Sequence, residues 1–352
     1  MDSLTQACLG GVLGGAVLGR RLGRKSILLG AAAATLPDLD SFIDYGNAVA
    51  DYTYHRSVTH SVFVLSALAG LLTLACTRLP TTRAIPTPLW FWFWWLCLVT
   101  HPILDAFTAY GTQLLWPIAS PPVAWKTIFI IDPLYTLPML LAIVVALIRG
   151  AHGRAAGIGL TISTVYLGFS VAAKAMVLAQ VHPVLVQRGL DDRPVMVQPT
   201  PLNTLVWRVT VMDDNRQLEA LVSLFDDRDK LALDSFSRPM DAHDMLVDSW
   251  AGQRLGWFAA PFWRSETRDG TLVVTDLRMG QPGVYSFAFV TGERDDDGQW
   301  HPVTPRAADT ARPDTSLLPA LFKRITQPDA LCPSDFGDHD RLLPESECRS
   351  RG

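Results

Sequence analysis

The sequence predicts an α-helical membrane domain followed by a small α+β extramembrane domain built on an antiparallel sheet. Three observations carry this. The 352-residue chain is 49% hydrophobic, with a mean hydropathy of +0.20, high for an ordinary soluble protein. Its charge is unevenly spread: residues 1–182 hold eleven basic and seven acidic side chains, all the acids Asp, and the first Glu is Glu219. The formal net charge of −4 therefore divides into about +4 and about −8. Finally, the long apolar runs stop near residue 182, and β-branched, aromatic runs follow. Neither half has the basic excess of a nucleic-acid binder.

The first element, 4–19, is short and glycine-rich ("LGGVLGGAVLG"), which predicts tight helix packing. It precedes "RRLGRK", whereas a cleavable signal peptide puts its positive charges first. The second, 26–36, is too short to span and reads as a half-helix ending at Pro37. Segments 57–77, 89–108 and 155–181 approach the roughly 20 apolar residues of a span, and 133–148 is shorter. Together they give five to six transmembrane or half-membrane helices. Basic residues gather in alternate loops: Arg20, Arg21, Arg24 and Lys25; Arg78 and Arg83; Arg149 and Arg154. By the positive-inside rule those loops are cytoplasmic. Loops 37–56 and 109–132, with Arg56 and Lys126 as their basic residues, then face outward, as does the C-terminal domain. This orientation requires segment two to cross. "LWFWFWWLCL" at 89–98 reads as an interfacial aromatic belt.

Polar residues collect at the predicted outer ends of these segments. Asp38 and Asp40 lie in "PDLD", His55 and His60 in "HRSVTH", and His101 and Asp105 in "HPILD". The i, i+4 spacing of the last pair puts both on one helix face. Imidazoles and carboxylates within an apolar half are costly unless paired or metallated. Converging on one face, they form the ligand set of a zinc, manganese or iron site of one or two ions. Such a site suits hydrolysis of a phosphoester, which can be lipid-linked. Asp38, Asp40, His60, His101 and Asp105 are then ligands. His55 is a ligand or the catalytic acid, and Arg56 orients the anion or braces an aspartate. Thr59, Ser61 and Thr108 are candidates to hydrogen-bond the ligands. Asp44 and Asp51 read as solvated loop carboxylates, and Asp132 as the N-cap of the helix begun by Pro133. His152, His182, His243, His301 and His339 read as ordinary surface histidines.

"MDSLTQACLGG", "LPDLDS", "YHRSVTHS", "HPILDAFTAYGTQLLWP" and "FIIDPLYTLP" resemble the YdjM-type membrane-bound metal-dependent hydrolases of bacteria, also described as LexA-binding inner-membrane hydrolases. The resemblance covers about residues 1–180. It implies a multi-pass protein of the bacterial inner membrane and a metal-dependent hydrolase, with the six Asp and His residues above as its site. LexA binding is suggested by the family label alone and would need a cytoplasmic surface, whereas the charge pattern puts the site outside. Where many members carry a Thr-His pair near the start, this chain has Thr5-Gln6. An amide is a poor zinc ligand.

The domain at 183–300 has strand-like runs and one helical stretch, "AHDMLVDSWAGQRLGWFA", with "MDDNRQ" as a candidate hairpin turn. Residues 301–352 read as a polar, poorly ordered tail. Cys332 and Cys348 can pair in an oxidising compartment or remain free in the cytoplasm. No nucleophile elbow, P-loop or dinucleotide fingerprint is present. Two other classes compete with the hydrolase: an ion or proton transporter using the Asp/His cluster, and a non-catalytic membrane protein braced by a structural metal.

Overall fold

The computed structural model describes residues 1–150, 153–227 and 231–348. The chain forms two compact units. The first comprises Met1–Ile43, Tyr54–Val171 and Pro201–Asn203; the second comprises Asp44–Thr53, Ala172–Thr200 and the chain from Thr204 onward.

The first unit is helical. Helix α1 (Ser3–Leu22) starts at Asp2, whose carboxylate accepts the Thr5 N–H at 3.0 Å. It ends with Arg20 and Arg21 in the last turn, where cations complement the helix dipole. Helix α2 (Lys25–Thr35) has eleven residues. At 1.5 Å per residue it is about 16 Å long, half of a bilayer core. The glycine-rich pattern performs as expected. A Cβ on Gly10 would lie 2.2 Å from the Gly30 carbonyl oxygen, and one on Gly30 would lie 2.1 Å from that of Gly10. Bare backbones therefore touch, and α2 is pinned along α1.

A 3-10 turn, Pro37–Phe42, follows α2. Helix α3 (Ala48–Tyr54) lies almost wholly in the second unit. A second 3-10 turn, Val58–His60, leads to α4 (Val62–Arg78), capped by Ser61. Next come α5 (Thr87–Ala106), α6 (Pro133–Arg149) and α7 (Arg154–Gln187). Asp132 is the cap expected of it: one oxygen accepts the Leu134 N–H at 2.9 Å, the other the Tyr166 hydroxyl at 2.8 Å.

Among the described residues, α7 is long and apolar enough to cross a membrane, with a second candidate if the bent pair Ala48–His60 and Val62–Arg78 counts as one span. Helices α2 and α6 are apolar but shorter.

The aromatic run on α5 is corrected in part. Trp90, Phe93 and Trp94 are buried in the core, and Trp92 is exposed. Their spacing of three and four continues through Cys97 to His101 and Asp105, so the aromatics form the inward face that carries the site.

The second unit has two four-stranded antiparallel sheets. One is ordered β1 (Val195–Pro199), β2 (Val206–Asp213), β3 (Arg216–Ser223), β4 (Asp234–Ser237). In the other, β5 (Trp263–Arg268) pairs with β6 (Thr271–Asp276), β6 with β9 (Ala288–Arg294), and β9 with β10 (Trp300–Ala307). A short ribbon pairs β7 (Gly280–Gln281) with β8 (Val284–Tyr285). The expected β2–β3 hairpin turns at Asp214–Asn215. The helical stretch divides into α8 (His243–Asp248) and α9 (Trp250–Ala259), with the Ser249 hydroxyl accepting the Gly252 N–H.

Helix α7 runs through residue 182, where the composition changes, to Gln187. Ala173, Val177, Val181 and Leu185, each four apart, pack against Trp207, Val209 and Val211 of the first sheet. A buried bidentate pair, Arg208–Glu219, spans β2 and β3, and Arg208 also donates to the Leu277 and Gly280 carbonyls.

The expectation of a poorly ordered tail is corrected. Its residues include β10, helix α10 (Leu318–Lys323) and a Cys332–Cys348 disulfide. Leu321 and Leu331 are buried with Val206 and Leu221, and Asp234 accepts the backbone N–H groups of Ser334 and Cys348. A few buried leucines and one buried carboxylate tie down an otherwise polar segment.

Candidate metal centre

Four side-chain atoms meet inside the helical unit: Asp38 Oδ1, His60 Nε2, His101 Nε2 and Asp105 Oδ2, all within 4.8 Å of one another. His60, His101 and Asp105 are fully buried and Asp38 partly so. Asp38 Oδ1 lies 3.5 Å from His60 Nε2 and 3.3 Å from His101 Nε2. Asp105 Oδ2 lies 3.3 Å and 3.4 Å from the same two nitrogens. A tetrahedral ion with ligand bonds of 2.0–2.1 Å has ligand-to-ligand edges of about 3.3–3.4 Å. The His60, His101 and Asp105 atoms are buried without a hydrogen-bond partner among the described residues, an arrangement that costs free energy unless a cation fills it.

Local structure accounts for each position. Pro37 opens the 3-10 turn at the end of α2, and Asp38 follows at once. His101 and Asp105 share the inward face of α5. His60 ends the turn before α4. The tautomers follow from what lies behind the rings. His101 Nδ1 is 2.5 Å from the Ala34 carbonyl oxygen, which can only accept, so Nδ1 carries the hydrogen and Nε2 presents a lone pair. The Thr59 hydroxyl donates to Asp40 at 2.7 Å and so accepts from His60 Nδ1 at 3.0 Å, freeing His60 Nε2 likewise. Four acceptors then face one another. Such a group calls for protons or a cation among them.

Asp40 and His55, expected as ligands, lie outside this four-atom group. Asp40 is saturated: Oδ1 pairs with His55 Nδ1 at 2.8 Å, and Oδ2 accepts the Arg56 N–H at 3.0 Å and the Thr59 hydroxyl. It serves the site by orienting others. Burial pushes the carboxyl of Asp40 up, but the hydrogen bond from His55 and the charge beside it outweigh this and hold it below the usual carboxylate range.

Arg56 is buried, with its guanidinium carbon 4.9 Å from the centre of the Tyr110 ring. Its backbone is left-handed, φ 62°, strained for a non-glycine residue by about 1–2 kcal/mol. Asp40 holds its N–H, and its carbonyl accepts the Gln113 N–H at 2.9 Å. The strained turn sends the side chain inward, where Nε lies 3.2 Å from Asp105 Oδ2.

Of the other expected partners, Thr59 contacts the site as described. Ser61 instead caps α4 and donates to the Trp116 carbonyl, and Thr108 donates to the Asp105 backbone carbonyl. Asp44 and Asp51 are exposed and bond nearby backbone N–H groups. His182, His243, His301 and His339 are exposed; His152 lies outside the described residues. Gln6 stands beside the ligands: its amide donates to Asp105 Oδ1 at 3.0 Å and to the His101 carbonyl at 3.2 Å. The Met1 amino group also bonds Asp105 Oδ1. Gln6 thus bonds Asp105 rather than joining the four converging atoms.

An apolar helical unit with a buried two-histidine, two-aspartate cluster, followed by antiparallel sheets, defines a membrane-protein class with a candidate metal centre. The chain belongs to the YdjM inner membrane protein family, whose profile matches residues 1–177 and so includes all four converging residues. It is also similar to the uncharacterized protein YfhP of Bacillus subtilis (strain 168), 25% identical over 309 residues, covering 82% of this chain and 90% of that protein. No solved structure matches the chain.

Proposed function

We propose that this protein is a multi-pass, metal-dependent hydrolase of the bacterial inner membrane, acting at the outer face on a lipid-borne phosphoester. The observation that carries the reading is the set of four edges of 3.3–3.5 Å between two carboxylates and two imidazoles whose Nε2 lone pairs are free. Asp38, His60, His101 and Asp105 would hold a divalent ion; nitrogen and carboxylate donors favour zinc or manganese. Such an ion supplies an acidified water and a polarised phosphoryl oxygen. His55, partly exposed and oriented through Nδ1 by Asp40, keeps Nε2 for proton transfer. Apolar exposure near the site supports an amphiphilic substrate: Leu39 and Phe42 on the turn bearing Asp38, and Trp116, Ile118 and Trp125 after α5, are all exposed. The alternating basic loops support an outer-face site and an extracytoplasmic C-terminal unit on the condition that the eleven-residue α2 and the turn after it together carry the chain across. LexA binding gains no support from the outward-facing assignment.

One observation favours a second reading. Four protein ligands close a tetrahedral site, as in structural zinc. Metal analysis of detergent-purified protein, with chelation and a phosphoester screen, separates the two. The hydrolase reading expects bound metal, its loss in His60→Ala and Asp105→Asn, and loss of turnover on chelation with the fold intact. Unfolding on chelation without turnover supports the structural metal. Metal-free protein after reconstitution refutes both and leaves a proton or ion path.

A further inference from the structure

Arg56 is 4% exposed, yet its Nε and Nη1 groups have no hydrogen-bond partner among the described residues. Nε approaches Asp105 Oδ2 to 3.2 Å but is not aligned to donate to it. A guanidinium buried with idle donors beside a ligand oxygen is set to receive an acceptor from outside the chain.

The ligands also constrain the ion count. Asp38 and Asp105 bring two negative charges, which one divalent ion neutralises. A second ion would need further carboxylates. The nearest, Asp40, already bonds His55, the Arg56 backbone and Thr59. His55 keeps Nε2, but that atom belongs to no group of three or more converging ligand atoms among the described residues. Among the described residues no second ligand set remains in this cluster, and Arg56 supplies the positive charge beside Asp105.

Resting on the metal reading above, we propose that the centre takes one divalent ion and that Arg56 replaces a second, forming with that ion a composite site for a tetrahedral oxyanion. Phosphate, free or within an ester, would be held through the guanidinium fork, with the ion's charge adding to the attraction. The Tyr110 ring lies against the guanidinium, its centroid 4.9 Å from the guanidinium carbon.

The test uses full-length protein in detergent, with inorganic phosphate as the probe. Metal-to-protein ratio is measured by elemental analysis, and phosphate affinity by titration calorimetry with and without metal. The expected results are one ion per chain, phosphate binding that depends on the metal, and a tenfold or greater loss of phosphate affinity in Arg56→Met with the ion retained. Arg56→Lys, which keeps the charge while losing the fork, should fold, keep its ion and bind phosphate more weakly than wild type. Two ions per chain, or wild-type phosphate affinity in either folded variant, overturns the proposal while the metal reading stands. Absence of metal from the wild type overturns both.

Discussion

Replacing Gly30 by Ala puts a methyl group 2.1 Å from the Gly10 carbonyl oxygen and 3.0 Å from the Gly14 Cα. Ordinary C–H to oxygen contacts begin at about 3.3 Å, so α1 and α2 must part by about 1 Å. Overpacking of this kind costs about 1–3 kcal/mol. The damage should not stop at the hairpin. Gly30 is one helical turn from Ala34, whose carbonyl fixes the His101 ring at 2.5 Å. A shift of about 1 Å breaks that bond, and losing such a ligand support lowers metal affinity by about 10–100-fold. Thermal unfolding in detergent measures the first effect and competition against a chelator the second. Gly70→Ala is the control: nothing lies within 4 Å of its added methyl, and in helix α4 it should stabilise by about 0.5–1 kcal/mol. If Gly30→Ala matches wild type in both assays, close approach of α1 and α2 does not set the site.

Thr59→Val keeps the shape and removes the hydroxyl between His60 and Asp40; metal affinity should fall about 10–100-fold by chelator competition. Thr108→Val, whose hydroxyl serves a backbone carbonyl, should leave affinity near wild type. Cys332→Ser opens a loop with a sequence separation of 16 and should destabilise the second unit by about 3 kcal/mol, read by thermal unfolding. Thiol labelling of unreduced membranes should find Cys332 and Cys348 protected; free labelling of both would contradict an extracytoplasmic unit.

Much of the converging cluster was legible because its residues obey local spacing. The i, i+4 pair His101 and Asp105 declares a shared face, and "PDLD" and "HRSVTH" mark turns at the ends of apolar runs. The division of labour was not legible. Asp38 and Asp40 are both plausible ligands on paper, and only the three donors around Asp40 make it a support. Gln6 is 95 residues from His101, so no local pattern could reveal its bond. The α5 tryptophans carried an unread signal, since positions 90, 94, 97, 101 and 105 already trace one face. Residues 44–53 read as a polar loop because their partners are distant in sequence: Tyr52 donates to Asp276 at 2.7 Å, and Arg254 donates to the Thr53 hydroxyl at 2.9 Å. The tail misled for a similar reason, as its few buried leucines are too sparse to form a periodic pattern.

The partner that fixes His101 is a main-chain oxygen. Every amino acid supplies one, so no substitution at position 34 can delete the acceptor. What position 34 demands is smallness, because the Ala34 methyl already lies 2.4 Å from where a Cβ on Gly10 would stand. Ala34 therefore supports the His101 ring through its main chain while its side chain matters through bulk alone. In related chains, selection for the centre should appear at this position as a limit on side-chain volume, in a residue that looks like featureless membrane filler.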